Sequence, residues 1–204
     1  MYVPTAFAET HLPRLHEVME CYSFALLISQ NASAPVASHL PLLLEREAGE
    51  FGTLVGHMAR ANPQWKELHQ QTVLAVFSGP QGYISPQWYE AENVVPTWNY
   101  VAVHACGRLE IIQDREPLRR IVRRMVEVYE QPLRSAWSMP LEATPYEDRM
   151  LDQIVGFRIP IESIEGKWKL SQNQSLERRQ NVVKQLRKQG DENSLAMAAL
   201  MEVG

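Results

Sequence analysis

Apolar and polar residues alternate along several short stretches of the chain, which is the pattern of strands with one buried face. Each stretch is bounded by glycine, proline, asparagine or charged residues that favour turns. The predicted strands are residues 23–29, 36–44, 51–57, 73–77, 95–112 and 154–164. The glycine-containing stretch Ser78–Gly82 is predicted to be a turn. Mostly short connections favour antiparallel pairing, so the pattern predicts an α+β protein, mainly β, with six strands in a small barrel.

Helical spacing of apolar residues marks the other segments. The clearest helix follows an Asp114 cap, where Leu118, Ile121 and Met125 fall on one stripe. The other predicted helices are residues 11–22 after a Thr10 cap, a helix that starts at Asn62-Pro63, and residues 146–153, 175–189 and 193–201. No repeat or long linker divides the chain. We therefore expect one domain over residues 1–204, with peripheral helices and a C-terminal helical extension over residues 174–204.

Composition excludes several classes of protein. Hydrophobic residues make up 45% of the chain and charged residues 22%, as in ordinary soluble proteins. The net charge of −4 argues against nucleic-acid binding driven by the charge of the whole chain. No apolar run approaches the ~20 residues that span a bilayer. Cys21 and Cys106 lack metal-type spacing and a second pair, which favours buried thiols in a reducing compartment and predicts a cytoplasmic protein.

The strand over residues 95–104 carries more polar groups than a core strand needs. Alternation puts Thr97 and Asn99 on one face, and Trp98, Tyr100 and His104 on the other. Each face therefore carries polar groups that need partners within the protein or a ligand. A planar cofactor that accepts and donates hydrogen bonds would suit this strand.

Five motifs in one order resemble the PaiB-type family of FMN-binding negative transcriptional regulators, which belongs to the split-barrel flavin-binding superfamily. The motifs are PVASHLPL (35–42), GHMARANPQW (56–65), YISPQWY (83–89), VPTWNY (95–100) and GKWKLSQN (166–173). The resemblance extends from Met1 to about Met201. It implies a six-stranded antiparallel split β-barrel and a homodimer with FMN in a groove at the subunit interface. Flavin reductases and pyridoxamine-phosphate oxidases share this fold, so the resemblance leaves regulation and catalysis both open.

The segment His57–Pro63 suits a phosphate monoester, because a strand ends, an arginine projects and a helix begins there. In split-barrel relatives this corner binds the FMN phosphate. The resemblance therefore points to Arg60 as the main phosphate ligand, with His57 and Asn62 beside it. The alternative is that Arg60 forms a surface ion pair and Asn62 is only a helix cap.

Further candidates surround the flavin ring in this interpretation. Tyr83, Ser85, Trp88 and Tyr89 supply stacking surface for a flat ring, or packing between two copies of the chain. Ser38, His39, Thr97, Trp98 and Asn99 could present polar groups to the ring edge. Haem or metal ligation by His39 or His104 is disfavoured, because no His-x-His, Cys-x-x-Cys or Glu-x-x-His spacing accompanies them.

The segment Gly166–Asn173 is expected to close over the flavin. Lys167 and Lys169 lie two residues apart, so both could face an anion while Trp168 packs behind. The alternative is a solvated lysine pair. The complete predicted FMN-binding set is Ser38, His39, His57, Arg60, Asn62, Tyr83, Ser85, Thr97, Trp98, Asn99, Lys167 and Lys169.

These residues provide binding chemistry, since no nucleophile and base are paired in the sequence. The favoured hypothesis is a regulator or flavin sensor. The alternative is a flavin reductase or other FMN-dependent oxidoreductase that uses NAD(P)H. A haem-handling protein and a direct DNA-binding repressor are further hypotheses. The five cationic residues of the predicted helix 175–189 would suit a DNA-binding repressor. No helix-turn-helix accompanies them, so we expect these residues to form a solvated helix face.

Overall fold

A computed structural model describes residues 1–31, 34–133, 137–139 and 144–203. The strands are β1 (Ala8–Glu9), β2 (Phe24–Gln30), β3 (Pro35–Pro41), β4 (Leu43–Glu45), β5 (Thr53–Ala59), β6 (Thr72–Ile84), β7 (Thr97–Arg108), β8 (Glu110–Ile112) and β9 (Ile154–Lys169). The helices are α1 (Leu12–Cys21), α2 (Arg115–Glu130), α3 (Pro145–Leu151), α4 (Leu176–Gln189) and α5 (Glu192–Val203). Short 3-10 helices cover Thr5–Phe7, Pro63–Glu67 and Pro86–Tyr89. The described residues thus form a mainly β, α+β fold, as predicted.

The strands hydrogen-bond in the order β3-β2-β6-β7-β9-β5-β4, and β1 and β8 also pair with β9. The pairs β1–β9, β2–β3, β2–β6, β4–β5, β5–β9 and β8–β9 are antiparallel. The predicted count of six strands is wrong, because the described residues contain nine. Two of the additional strands, β4 and β8, arise because the predicted strands 36–44 and 95–112 are interrupted at Leu42 and Leu109. Only β1 was not predicted, and its two residues are too few to show alternation in a sequence.

The predicted turn at Ser78–Gly82 is also wrong, because these residues lie inside β6, which is 13 residues long. A Cβ atom on Gly79 would lie 3.1 Å from Cβ of Val101. Gly79 therefore allows a close approach between strands rather than a change of direction.

The last strand is longer than predicted, since β9 runs from Ile154 to Lys169. It includes Gly166 to Lys169, so these residues of the segment expected to close over the flavin continue the strand. A Cβ atom on Gly166 would lie only 2.2 Å from Cδ2 of Leu15. This glycine lets α1 approach the strand, a contact that no pattern in the sequence indicates.

The chain divides into two compact units, each built from separated stretches. Unit 1 comprises residues 1–22, 77–104 and 165–204, and unit 2 comprises residues 23–76 and 105–164. β6, β7 and β9 each contribute residues to both units.

In unit 2, β5 pairs with β9 from Thr53 opposite Pro160 to Ala59 opposite Ile154. Helix α2 covers this region through Ile121 and Met125, which pack on Leu43 and Val55. The periodicity predicted α2 correctly. Asp114 is its N-cap residue, but the Asp114 side chain makes no capping hydrogen bond.

In unit 1, α4 and α5 pack through side chains that are almost fully buried, among them Val182, Leu186 and Met197. The Ser175 hydroxyl caps α4 by accepting from the Arg178 amide. Helix α1 begins one residue later than predicted, with His11 rather than Thr10 at its N-cap. None of the helices in the described part of the chain is long and apolar enough to cross a membrane.

Candidate functional site

Arg60 lies where β5 ends in unit 2, and backbone carbonyls orient its side chain. Its Nε donates to the carbonyl of Asp152 at 2.7 Å and its Nη2 to the carbonyl of Ile154 at 2.8 Å. The guanidinium carbon is 5.9 Å from the centre of the Trp65 ring, and the Trp65 indole donates to the Arg60 carbonyl. Within the described residues no carboxylate pairs with Arg60. Its positive charge is therefore held in place by neutral groups and remains available to an anion.

Asn62 joins this corner to β3 through hydrogen bonds. Its Oδ1 accepts from the Gln64 amide at 3.0 Å, which confirms the predicted cap on a helix that is only one short 3-10 segment. Its Nδ2 donates to the Ser38 hydroxyl at 2.9 Å, and that hydroxyl donates to Oε1 of Gln64 at 2.6 Å. Gln64 is only 6% exposed, and its Nε2 donates to the Ser29 hydroxyl. The structure thus joins Ser38 and Asn62 directly, and Gln64, which was not among the predicted site residues, bonds to both.

His57 lies on β5 with its ring partly buried. Alternation puts it on the same face as Val55, which packs against α2. Burial lowers the pKa of His57, so the ring is neutral at pH 7. Its Nδ1 is buried and has no hydrogen-bond partner in the described part of the protein. A buried polar atom without a partner is a position for a water molecule or a ligand.

His39 lies apart from this hydrogen-bond network. Its ring stacks on Phe24, with centroids 6.0 Å apart and an interplanar angle of 23°. Both residues are exposed, and alternation on β3 turns His39 to the face opposite Ser38. The structure therefore separates two residues that the sequence analysis grouped.

In unit 1, β7 has the two faces that alternation predicts. Asn99, Val101 and Val103 are buried, whereas Trp98 and Tyr100 on the other face are more exposed. Trp98 is 54% exposed and Tyr83 on β6 is 49% exposed. Their rings meet edge to face, with centroids 6.3 Å apart. Two candidate residues thus form an exposed aromatic pair.

Asn99 is completely buried, and its amide contacts the Ser171 hydroxyl through nitrogen at 3.0 Å and oxygen at 3.2 Å. The Tyr89 hydroxyl lies 3.1 Å from the same Ser171 oxygen. This network corrects the expectation that Asn99 faces a ring, because its polar groups are used inside unit 1. Ser171 was not predicted and adopts a left-handed backbone with φ of +62°. Ser85 serves as the cap of the 3-10 helix Pro86–Tyr89.

Lys167 and Lys169 lie on one side of β9, as predicted, but they have different partners. Lys167 is 8% exposed, and its ammonium donates to the Tyr2 carbonyl and lies over the rings of Tyr2 and Tyr100. Lys169 donates to the Thr97 hydroxyl. Trp168 is buried behind them, as expected. The prediction that both lysines face one anion needs correction, because Lys167 is enclosed by aromatic rings.

The cations of α4 mainly serve local contacts. Arg178 donates to Gln174, and Arg179 donates to the Met201 carbonyl. Arg187 forms an ion pair with Glu202 at 2.8 Å. These contacts fit the expected solvated face.

Comparison with known proteins connects this geometry to a family. The family model described as "Putative FMN-binding domain" matches residues 1–163. The protein named Protease synthase and sporulation protein PAI 2, from Bacillus subtilis (strain 168), is 34% identical over 203 residues, which are 99% of this chain and 97% of that protein.

Two solved structures share the fold. The flavocytochrome Anf3 from Azotobacter vinelandii aligns with a TM-score of 0.58 at 18% identity, over 79% of this chain and 69% of that one. The FAD and heme binding protein from Mycobacterium smegmatis aligns with a TM-score of 0.55 at 18% identity, over 79% of this chain and 73% of that one. At these identities the likeness concerns the fold. The family match and the end-to-end similarity to the Bacillus protein confirm the resemblance drawn from the five motifs, and this chain belongs to the FMN-binding domain family as a PaiB-like protein.

Proposed function

We propose that this chain binds FMN through an Arg60 phosphate site and acts as a cytoplasmic PaiB-like regulator or flavin sensor. The observation that carries the proposal is the Arg60 guanidinium, which two backbone carbonyls orient while no carboxylate in the described residues neutralises it. The two cysteines form no disulfide, which suits a reducing compartment, but Cys21 is exposed and Cys106 only partly buried, so the expectation of two buried thiols is wrong.

The donors around Arg60 fit a phosphate monoester. Two of the three guanidinium nitrogens donate to carbonyls, which leaves Nη1 for a phosphate oxygen. The backbone bonds reduce the rotamer freedom that binding would otherwise remove. Asn62 keeps one amide hydrogen beyond the one that it donates to Ser38, whereas the Ser38 hydroxyl already donates to Gln64 and supports the site through this network. We assign Arg60 the charge-bearing contact and Ser38 and Asn62 its neutral support.

Tyr83 and Trp98 are the proposed contacts for the flavin ring. Their exposed rings offer the surface on which a planar ring system stacks. The Lys169 ammonium has a neutral partner, Thr97, so its charge favours negative charge on a bound ring. When bound, FMN supplies electron-transfer chemistry that side chains lack.

A homodimer is part of the proposal, because exposed aromatic residues are enriched at interfaces between copies. We infer that a second copy covers the exposed face of β7 that carries Trp98. The measurement is molar mass by light scattering for the wild type and for Trp98→Ser. We expect the wild type to be a dimer and Trp98→Ser to shift toward the monomer. An unchanged mass for Trp98→Ser would exclude this face from the interface.

Binding constants for FMN and riboflavin test the phosphate site, because only FMN carries the phosphate. Arg60→Ala should weaken FMN binding roughly tenfold or more and riboflavin binding less than about twofold, as expected for a charged hydrogen bond. Arg108→Ala is the matched control, since Arg108 is an exposed arginine of unit 2 that pairs with Glu162. Arg60→Lys keeps the positive charge and replaces Arg60→Ala in the test if the alanine variant fails to fold. Equal losses for the two ligands would remove Arg60 from the phosphate site.

Replacement of Tyr83 or Trp98 by leucine should weaken FMN and riboflavin binding equally. Both ligands contain the ring, so both should bind roughly tenfold more weakly. A loss confined to FMN would contradict ring stacking at these residues.

Oxidation of NADH or NADPH in air by the FMN-loaded protein separates the sensor from an enzyme. Binding without turnover is the expected result for a sensor. Sustained turnover would overturn that part of the proposal and identify an FMN-dependent oxidoreductase that uses NAD(P)H as donor.

A further inference from the structure

A groove of about 360 Å³ runs along α4 beside the C-terminal end of α5. Its α4 wall is a stripe at helical spacing that begins at Leu176 and ends at Arg187, and its α5 wall contains Met201 and Glu202. The eleven helical steps from Leu176 to Arg187 rise by about 16 Å, so the stripe is about three turns long. None of its lining residues belongs to the candidate FMN-binding set.

The floor of this groove is apolar. Val183 and Met201 are almost fully buried at its base, and Leu176 is 67% exposed at one end. A different stripe of α4, with Val182 and Leu186, is buried in the core of unit 1. Helix α4 therefore contributes apolar side chains on two sides, and among those that line the groove only Leu176 leaves a large apolar surface exposed.

The rim of the groove carries one ammonium group without an acidic partner. Arg187 and Glu202 neutralise each other through hydrogen bonds of 3.1 and 2.8 Å. The Lys184 ammonium reaches only the Asn181 side chain, at a long 3.5 Å, and pairs with no carboxylate among the described residues. The groove thus combines an apolar floor with a positive charge at its edge.

We propose that this groove binds an amphipathic organic anion, with its negative head at Lys184 and its apolar body on Val183 and Met201. The volume lies within the range of small-molecule sites, about 300–1,000 Å³. Apolar burial supplies the binding energy, while the Lys184 charge, with the Arg179 guanidinium also in the lining, selects an anion over a neutral amphiphile. Carboxylates, sulfonates and phosphate monoesters share this chemistry.

The test titrates octane-1-sulfonate into the full chain saturated with FMN and follows amide shifts by NMR. We expect the largest shifts in the α4 stripe and at the end of α5. Methanesulfonate has the same head without the chain, and 1-octanol has the chain without the charge. Both should bind roughly tenfold more weakly. Octanoate and octyl phosphate show which head binds best. Largest shifts elsewhere, or equal affinity for 1-octanol, would overturn the proposal.

Lys184→Glu and Lys188→Glu form a matched pair, because both change one exposed lysine of α4 and only Lys184 lines the groove. We expect Lys184→Glu to weaken octane-1-sulfonate binding about fivefold or more and Lys188→Glu by less than about twofold in 0.15 M salt. Gln180→Trp, which fills the groove, should abolish binding. Equal effects of the two lysine changes would contradict the assignment. A change of oligomeric state with unchanged sulfonate binding would instead identify a contact between copies.

Discussion

Replacement of Ser171 by alanine probes the buried hydroxyl network of unit 1. The hydroxyl lies 3.1 Å from the Tyr89 hydroxyl and 3.0 Å from the Asn99 amide nitrogen, and all three residues are buried. Alanine would leave both of these groups without that partner. Each buried polar group left unsatisfied costs about 1–3 kcal/mol. We expect Ser171→Ala to lower the free energy of unfolding by about 3 kcal/mol.

Glycine at the same position separates the backbone from the hydroxyl. Ser171 has a φ of +62°, a region that glycine adopts about 1 kcal/mol more easily than residues with a Cβ atom. Ser171→Gly loses the same hydroxyl but relieves this strain. Its free energy of unfolding should therefore fall by only about 2 kcal/mol.

Two further variants place the effect in the network. Tyr89→Phe should cost about 1 kcal/mol, because the Ser171 hydroxyl keeps its contact with Asn99. The double variant with Ser171→Ala should cost about 1 kcal/mol less than the sum of the single changes. Ser175→Ala is the control, since this exposed serine only caps α4 and its loss should cost about 1 kcal/mol.

Urea unfolding followed by circular dichroism gives these free energies, provided that the slope of the unfolding free energy against urea concentration is the same for all variants. The reasoning fails if Ser171→Ala unfolds within about 0.5 kcal/mol of the wild type. It also fails if Ser171→Gly is no more stable than Ser171→Ala, because the left-handed backbone would then carry no cost.

Three other predictions concern unit 2 and the end of β6. Burial lowers the pKa of His57, so as the pH falls below about 6.5 the unfolded chain binds a proton at His57 before the folded protein does, and the free energy of unfolding declines. His57→Gln should make this decline smaller between urea titrations at pH 7.5 and 5.5. An equal decline in the wild type and the variant would refute the prediction. Gly107→Ala should cost about 3 kcal/mol in urea unfolding, because its Cβ atom would lie 2.0 Å from the Pro160 carbonyl oxygen; Gly82→Ala, whose nearest contact is at 3.8 Å, should stay within about 0.5 kcal/mol. Asn62→Ala should cost about 1 kcal/mol through loss of its cap, and a neutral result by thermal melting would contradict that role.

Features set by local chemistry could be predicted from the sequence. Helix α2 follows from its apolar stripe, and the two faces of β7 follow from alternation. The Asn62 cap follows from the preference of asparagine before a proline at the first helical position. Each depends on residues at most a few positions apart.

Features set by distant neighbours could not be predicted. Gly79 looked like a turn residue, but Val101 on another strand makes it a contact residue. The sequence predicts Lys167 as an anion ligand, but its ammonium lies over the rings of Tyr2 and Tyr100. The use of Asn99 depends on Ser171, which lies 72 residues away in the sequence. Such roles are fixed by tertiary contacts that periodicity does not contain.

The interleaving of the two units has a consequence for biosynthesis. Unit 1 contains residues 1–22 but also needs residues 165–204, which are made after residues 23–164. At about 5–20 residues per second, the ribosome takes roughly seven to thirty seconds to add residues 23–164. During that interval α1 has no β9 against which to bury its apolar face. The nascent chain therefore exposes this face for seconds, so cellular chaperones should bind the early N-terminal segment more than the finished protein.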